Sequence, residues 1–125
     1  MTEAALKGDL VKRFRTRLPA AVILRHEDRF THGIPDISIT YGKRTIWLEV
    51  KLADPNFTSK GIQDLTMLRL ANAGFGWFVV YWTKNKEKRT YIVDPKDIGK
   101  PIEEWENYFD GFNHDWVVEF VYNLV

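Results

Sequence analysis

The chain has 125 residues, of which 45% are hydrophobic and 28% are charged, and its net charge is +1. This composition is typical of a folded globular protein, and the length is sufficient for one hydrophobic core. The absence of cysteine excludes disulfides and thiolate metal sites. No apolar run approaches the roughly 20 residues of a membrane-spanning helix, and no signal peptide is recognisable. We therefore expect one cytoplasmic domain over residues 1–125, neither secreted nor in contact with a membrane.

The first part of the chain predicts a helix followed by a buried strand. From residue 2 to about residue 18, every fourth position of one helical face is apolar, and Pro19 cannot continue the helix. These apolar positions are Leu6, Leu10, Phe14 and Leu18. The run A-A-V-I-L at residues 20–24 is typical of a buried strand.

The middle of the chain predicts four more strands and a second helix. Alternating or continuous apolar residues predict the strands, which cover about residues 36–41, 44–52, 77–82 and 89–93. The helix is predicted over about residues 60–73, with Thr58 or Ser59 as its N-cap and Gly74 at its end.

The C-terminal segment is harder to interpret from its sequence. The stretch I-E-E-W-E-N-Y-F at residues 102–109 predicts a short helix. The stretch W-V-V-E-F-V-Y at residues 116–122 predicts a last strand, because β-branched and aromatic residues favour strands. The whole pattern indicates a mixed sheet with helices packed on it.

The two strands at residues 36–52 have a register that the sequence specifies. A two-residue turn at Gly42-Lys43, with Gly first, is typical of a type II′ hairpin, and it pairs Tyr41 with Arg44. The same register places Asp36 directly opposite Glu49. A slip of one residue would break the alternation of apolar and polar positions, so two independent signals agree.

Two carboxylates facing each other across a hairpin require a compensating charge. Directly opposed Cβ atoms are about 4.5–5.5 Å apart, and like charges at that distance are destabilising. A divalent cation such as Mg²⁺, which prefers carboxylate oxygens, would compensate Asp36 and Glu49. Lys51 lies two residues beyond Glu49 on the same face, where it can neutralise charge or hold a water molecule. The alternative is an ordinary solvated sheet face, on which Glu and Lys at this spacing are common.

Two further polar residues lie on predicted helical stripes. Gln63 heads a stripe with Met67 and Leu70, where it either points to a polar partner or makes a local hydrogen bond. Glu3 begins the stripe of the first helix, where it can also act simply as a favourable charge at the helix N-terminus.

Taken in order, these residues resemble the PD-(D/E)xK nuclease superfamily. The motif elements are G-I-P-D, then L-E-V-K after a short hairpin, then a helix bearing Gln63, with Glu3 in the first helix. Within the superfamily, the pattern is similar to the virus-type replication-repair nuclease (VRR-NUC) domain. The resemblance covers about residues 3–83, and the extension at residues 84–125 matches no family pattern. It implies a restriction-endonuclease-like α/β core, α-β-β-β-α-β, with a mixed β-sheet flanked by helices.

The resemblance also implies roles for the site residues. Asp36, Glu49 and the main-chain carbonyl of Val50 would bind Mg²⁺ or Mn²⁺, and Lys51 would orient or polarise the attacking water. Glu3 would bind metal directly or through water. Gln63 would be a further catalytic residue that positions water or phosphate.

The function that the resemblance implies is metal-dependent endonuclease cleavage of DNA. Stand-alone members look like homodimeric resolvases of branched or four-way junction DNA, typically of DNA repair and of bacterial or phage origin. Six residues are candidates for the DNA backbone, although exposed basic residues are commonly just solvated: Arg25, Arg29, His32, Lys43, Arg44 and Lys60. The alternatives are a non-catalytic nucleic-acid-binding module of the same fold and a structural protein with an incidental acidic hairpin.

Overall fold

Six strands form one sheet in which the spatial order of the strands is their order along the chain. The computed structural model describes residues 1–27, 34–53 and 65–125. The elements are α1 (Glu3–Arg17), β1 (Val22–Arg25), β2 (Ile37–Tyr41), β3 (Arg44–Ala53), α2 (Leu65–Asn72), β4 (Gly76–Lys84), β5 (Glu87–Val93), a 3₁₀ helix (Ile102–Glu104), β6 (Tyr108–Asp110) and α3 (His114–Tyr122). Strands β3 and β4 are parallel, and every other neighbouring pair is antiparallel. The predicted mixed sheet with flanking helices, and its order α-β-β-β-α-β, are confirmed.

The first helix begins and ends where the sequence predicts. The Thr2 hydroxyl accepts a hydrogen bond from the Ala5 N–H at 3.1 Å, and the Leu18 N–H donates to the Phe14 carbonyl at 2.8 Å. The predicted apolar stripe, Leu6, Leu10, Phe14 and Leu18, is buried against the sheet. The helix is therefore fixed to the sheet along its whole length, which fixes the position of its first turn.

The β2–β3 hairpin has the register that the sequence predicts. Tyr41 pairs with Arg44, Ser38 with Trp47, and Ile37 with Leu48. Gly42 has a φ of +61°, the left-handed value that the first central residue of a type II′ turn requires.

The two faces of the sheet bury separate groups of side chains. Helices α1 and α3 pack on one face, over Ile37, Leu48 and Val50, and α2 packs on the other face against Phe78 and Val80. Because side chains alternate along β3, Glu49 and Lys51 lie on the α2 face while the neighbouring Val50 is buried under α1.

The prediction for the C-terminal segment is wrong for the last strand and is confirmed only in part for the short helix. Residues 116–122 belong to helix α3, which begins with the Asn113 side chain accepting a hydrogen bond from the Trp116 N–H. Its buried residues Val117, Val118 and Val121 follow helical spacing and pack toward α1, so burial outweighs their strand propensity. Of the segment predicted as a short helix, Ile102–Glu104 forms a 3₁₀ helix and Tyr108–Asp110 pairs with β5 as strand β6.

The second helix is confirmed in its C-terminal part. Helix α2 covers Leu65–Asn72, and Gly74 follows it with a φ of +84°. The predicted start near residue 60 and the N-caps Thr58 and Ser59 lie outside the described residues. None of the α-helices in the described ranges is long and apolar enough to cross a lipid bilayer.

Alanine substitutions at two glycines would measure how closely the helices pack on the sheet. A Cβ at Gly76 would lie 2.8 Å from the Leu70 Cβ, whereas a Cβ at Gly8 would meet only the Arg25 side chain, at 3.6 Å. We expect Gly76→Ala to destabilise the protein by about 1–3 kcal/mol through overpacking. Gly8→Ala should stabilise it by about 0.5–1 kcal/mol, because alanine favours a helix interior. Urea unfolding measures both, and a Gly76→Ala variant as stable as wild type would contradict close packing of α2 on β4.

Candidate functional site

At the open end of the β2–β3 hairpin, the Asp36 carboxylate accepts a main-chain hydrogen bond in the place of a main-chain carbonyl. The last backbone pair of that hairpin joins Ile37 to Leu48. One step further, Asp36 Oδ2 accepts a hydrogen bond from the Val50 N–H at 2.8 Å. The Asp36 side chain is therefore held on β3 by a main-chain donor, while the Asp36 carbonyl accepts a hydrogen bond from the His26 N–H at 2.8 Å.

Asp36 and Glu49 are neighbours one step beyond the Ile37–Leu48 pair, where the predicted register places them. Burial raises the pKa of Asp36, but hydrogen bonds with Glu49, the Val50 N–H and Lys7 together hold that pKa below its ordinary value. Two carboxyl groups at neighbouring positions favour a proton or a cation between them. The site is therefore built to hold positive charge.

Lys7 supplies part of that positive charge, and the sequence reasoning missed it. Its Nζ lies 3.0 Å from Asp36 Oδ1, and the side chains of Lys7 and Asp36 are only 20% and 16% exposed. The available signal was its spacing, because Lys7 is one helical turn beyond Glu3 and shares its face of α1. Without a known target on the sheet, that spacing does not distinguish Lys7 from the other lysines.

Glu3 reaches the same strand from the first turn of α1. Its Oε1 accepts a hydrogen bond from the Leu52 N–H at 2.8 Å. Val50 and Leu52 are two residues apart, so both N–H groups point to the same edge of β3. Asp36 and Glu3 therefore bind successive donors on one edge of one strand.

Lys51 lies between these two anchored positions. It pairs in register with Val80 of β4, and its side chain is half-buried on the face that also carries Glu49. The structure thus brings together four of the five predicted catalytic side chains around β3. The fifth, Gln63, lies outside the described residues.

The six residues predicted to contact DNA differ in their surroundings. Arg25 Nε lies 2.9 Å from Glu27 Oε1 without a well-aligned hydrogen bond, and the Arg25 side chain packs beside α1. Arg44 donates a hydrogen bond to the Leu124 carbonyl, and Lys43 is exposed in the hairpin turn. Arg29, His32 and Lys60 lie outside the described residues. A role for any of these six residues in binding DNA stays a prediction.

The oxygen atoms at this site suit a hard divalent cation. The N–H and C=O of a strand residue point to the same side, so the Val50 carbonyl faces the edge where Asp36 is bound. Two carboxylates and a carbonyl are donors that Mg²⁺ and Mn²⁺ accept, with water completing the coordination. Among the described residues, no group of three Asp, Glu or His side chains is close enough to hold a metal. Asp36, Glu49 and the Val50 carbonyl would be the residues to hold the ion, and Glu3 would bind it directly or through water.

Comparisons with known proteins leave the family of this chain open. No family model matches the sequence, and no curated protein matches it. Solved structures that resemble the fold include Hjc, a Holliday junction resolvase from the archaeal hyperthermophile Archaeoglobus fulgidus. The identity is 16%, the TM-score is 0.41, and the match covers 88% of this chain and 97% of that one. With similarity this low, function has to be inferred from the residues of the site.

Proposed function

We propose that this protein is a DNA endonuclease that hydrolyses phosphodiester bonds with Mg²⁺ or Mn²⁺. The observation that carries the proposal is the Asp36 carboxylate fixed on the Val50 N–H at 2.8 Å, at the position that the hairpin register sets opposite Glu49. In a structural protein, two like charges at neighbouring half-buried positions would lower stability without a compensating role. A site for a divalent cation provides that role, because the cation converts a repulsive pair into ligands.

The cation and the lysine would divide the chemistry. When bound, Mg²⁺ or Mn²⁺ stabilises negative charge on the phosphate as water attacks phosphorus. The Lys51 ammonium, on the same face as Glu49, can donate a hydrogen bond to the attacking water and stabilise the hydroxide that forms. Hydrolysis breaks one P–O bond and leaves a phosphate end and a hydroxyl end.

The same proposal extends to the preferred DNA substrate and to the oligomeric state of the protein. The VRR-NUC resemblance of G-I-P-D and L-E-V-K supports branched or four-way junction DNA as the substrate. A homodimer would present two such sites for paired cuts, as a two-fold axis requires.

The proposal is tested by incubating the protein with a four-way junction, a flap and a linear duplex of matched sequence. Cleavage is expected with Mg²⁺ or Mn²⁺ and not with EDTA. If no substrate is cut with either metal, the endonuclease proposal fails. Binding without cleavage, measured by gel shift in Ca²⁺, would instead indicate a non-catalytic nucleic-acid-binding module.

A further inference from the structure

The position of Lys7 raises the question of what happens to it when a cation binds. The Val50 N–H already occupies Asp36 Oδ2, and the Lys7 ammonium occupies Oδ1 at 3.0 Å. An ammonium group is a compact point charge on a flexible stem, and it lies against the carboxylate that a divalent cation needs. The two positive charges therefore compete for one carboxylate.

The charges at the site favour displacement of Lys7 by the cation over simultaneous binding of both to Asp36. The Lys7 ammonium offsets the charge of Asp36, one of the two carboxylates that would hold the ion. If Lys7 leaves Asp36, that negative charge becomes available to the ion. Because the pair is mostly shielded from solvent, this charge is only weakly screened.

We propose that Lys7 is an exchangeable counter-ion of Asp36, which a divalent cation must displace and which therefore sets the cation concentration that the site requires. This inference rests on the proposed function only in taking Asp36 as a ligand of that cation. In the cation-free protein, the Lys7 ammonium offsets the negative charge of Asp36 beside Glu49.

The decisive measurement is Ca²⁺ and Mn²⁺ binding by isothermal titration calorimetry in the absence of DNA. Lys7→Met keeps the length of the side chain and removes its charge, and it should bind either cation about tenfold more tightly than wild type. Lys7→Arg keeps the charge and should not bind more tightly. Lys12→Met is the matched control, because Lys12 is an exposed lysine on the same helix. Its affinity should stay within about twofold of wild type, since exposed charges are screened.

Thermal unfolding gives a second readout that does not depend on activity. Lys7→Met should have a lower Tm than wild type without cation, and added Ca²⁺ should raise its Tm by more than that of wild type. Unchanged or weaker cation binding by Lys7→Met, or no binding by either protein, would overturn the inference. Tighter binding by Lys7→Met in a protein that never cuts DNA would support the inference while the proposed function fails.

Discussion

Replacing Lys51 with alanine is expected to slow DNA cleavage by about 10²–10⁴-fold, the range for loss of a group that assists proton transfer. The Asp36 and Glu49 carboxylates and the Val50 carbonyl remain in this variant, so cation binding should change little. Lys51 is half-buried on β3 and its backbone is held by the pairing with β4, so the fold should be retained. Single-turnover cleavage in Mg²⁺, together with calorimetry in Ca²⁺, measures the two effects separately.

Lys96→Ala is a suitable control for the Lys51 experiment. Lys96 is an exposed lysine in the loop after β5, so its removal changes the net charge equally without touching β3. Cleavage by this variant should equal that of wild type. If Lys51→Ala cuts DNA as fast as Lys96→Ala, Lys51 has no part in the reaction.

Replacing Asp36 with asparagine is expected to abolish both cation binding and cleavage. The asparagine carbonyl can still accept the hydrogen bond from the Val50 N–H, so the local chain path should persist. The negative charge is lost, and with it the attraction for Mn²⁺. Cation affinity should fall by more than about 100-fold, since even an outer-shell partner of a metal contributes about 10–100-fold. Calorimetry with Mn²⁺ and a cleavage assay on the same preparation measure both losses.

Asp110→Asn provides the matched control for that substitution. Asp110 lies on β6 with a side chain that is 85% exposed, paired loosely with Arg89. Asp110→Asn changes the charge by the same amount as Asp36→Asn, and neither cation affinity nor the cleavage rate should change. Retained Mn²⁺ binding in Asp36→Asn would show that the cation is held elsewhere.

The three variants of the site should therefore differ in their combination of cation binding and DNA cleavage. Lys51→Ala should bind the cation and fail to cut, Asp36→Asn should do neither, and Lys7→Met should bind the cation more tightly. A uniformly destabilised site would weaken all of these properties together. The pattern across variants thus separates chemical roles from a general effect on folding.

The geometry of the hairpin follows from local rules, and for that reason the sequence predicts it. A Gly-Lys turn and a two-residue period fix one register, which brings Asp36 to Glu49 without reference to the rest of the chain. Helix α1 is also predicted by local signals, since its apolar stripe, its Thr2 cap and Pro19 all lie within or next to the helix.

The C-terminal segment shows where local rules fail. The run W-V-V-E-F-V-Y contains residues that favour strands, and contact with α1 and with the sheet decides that it folds as helix α3. Arg13 and Arg17 of α1 form ion pairs with Asp115 and Glu119 of α3, but these exposed pairs contribute little to stability. Burial of Val117, Val118 and Val121 is what selects the helix.

By itself, the sequence determined the order of the first seven elements, the hairpin register and the placement of Asp36 opposite Glu49. Only the tertiary structure decided which groups hold that pair: Lys7 on one carboxylate oxygen and the Val50 N–H on the other. Lys7 and Asp36 are distant in sequence and meet because α1 packs across β2 and β3. The hairpin register depends on neighbours along two adjacent strands, whereas the ion pair depends on how a helix docks on a sheet, which no local pattern encodes.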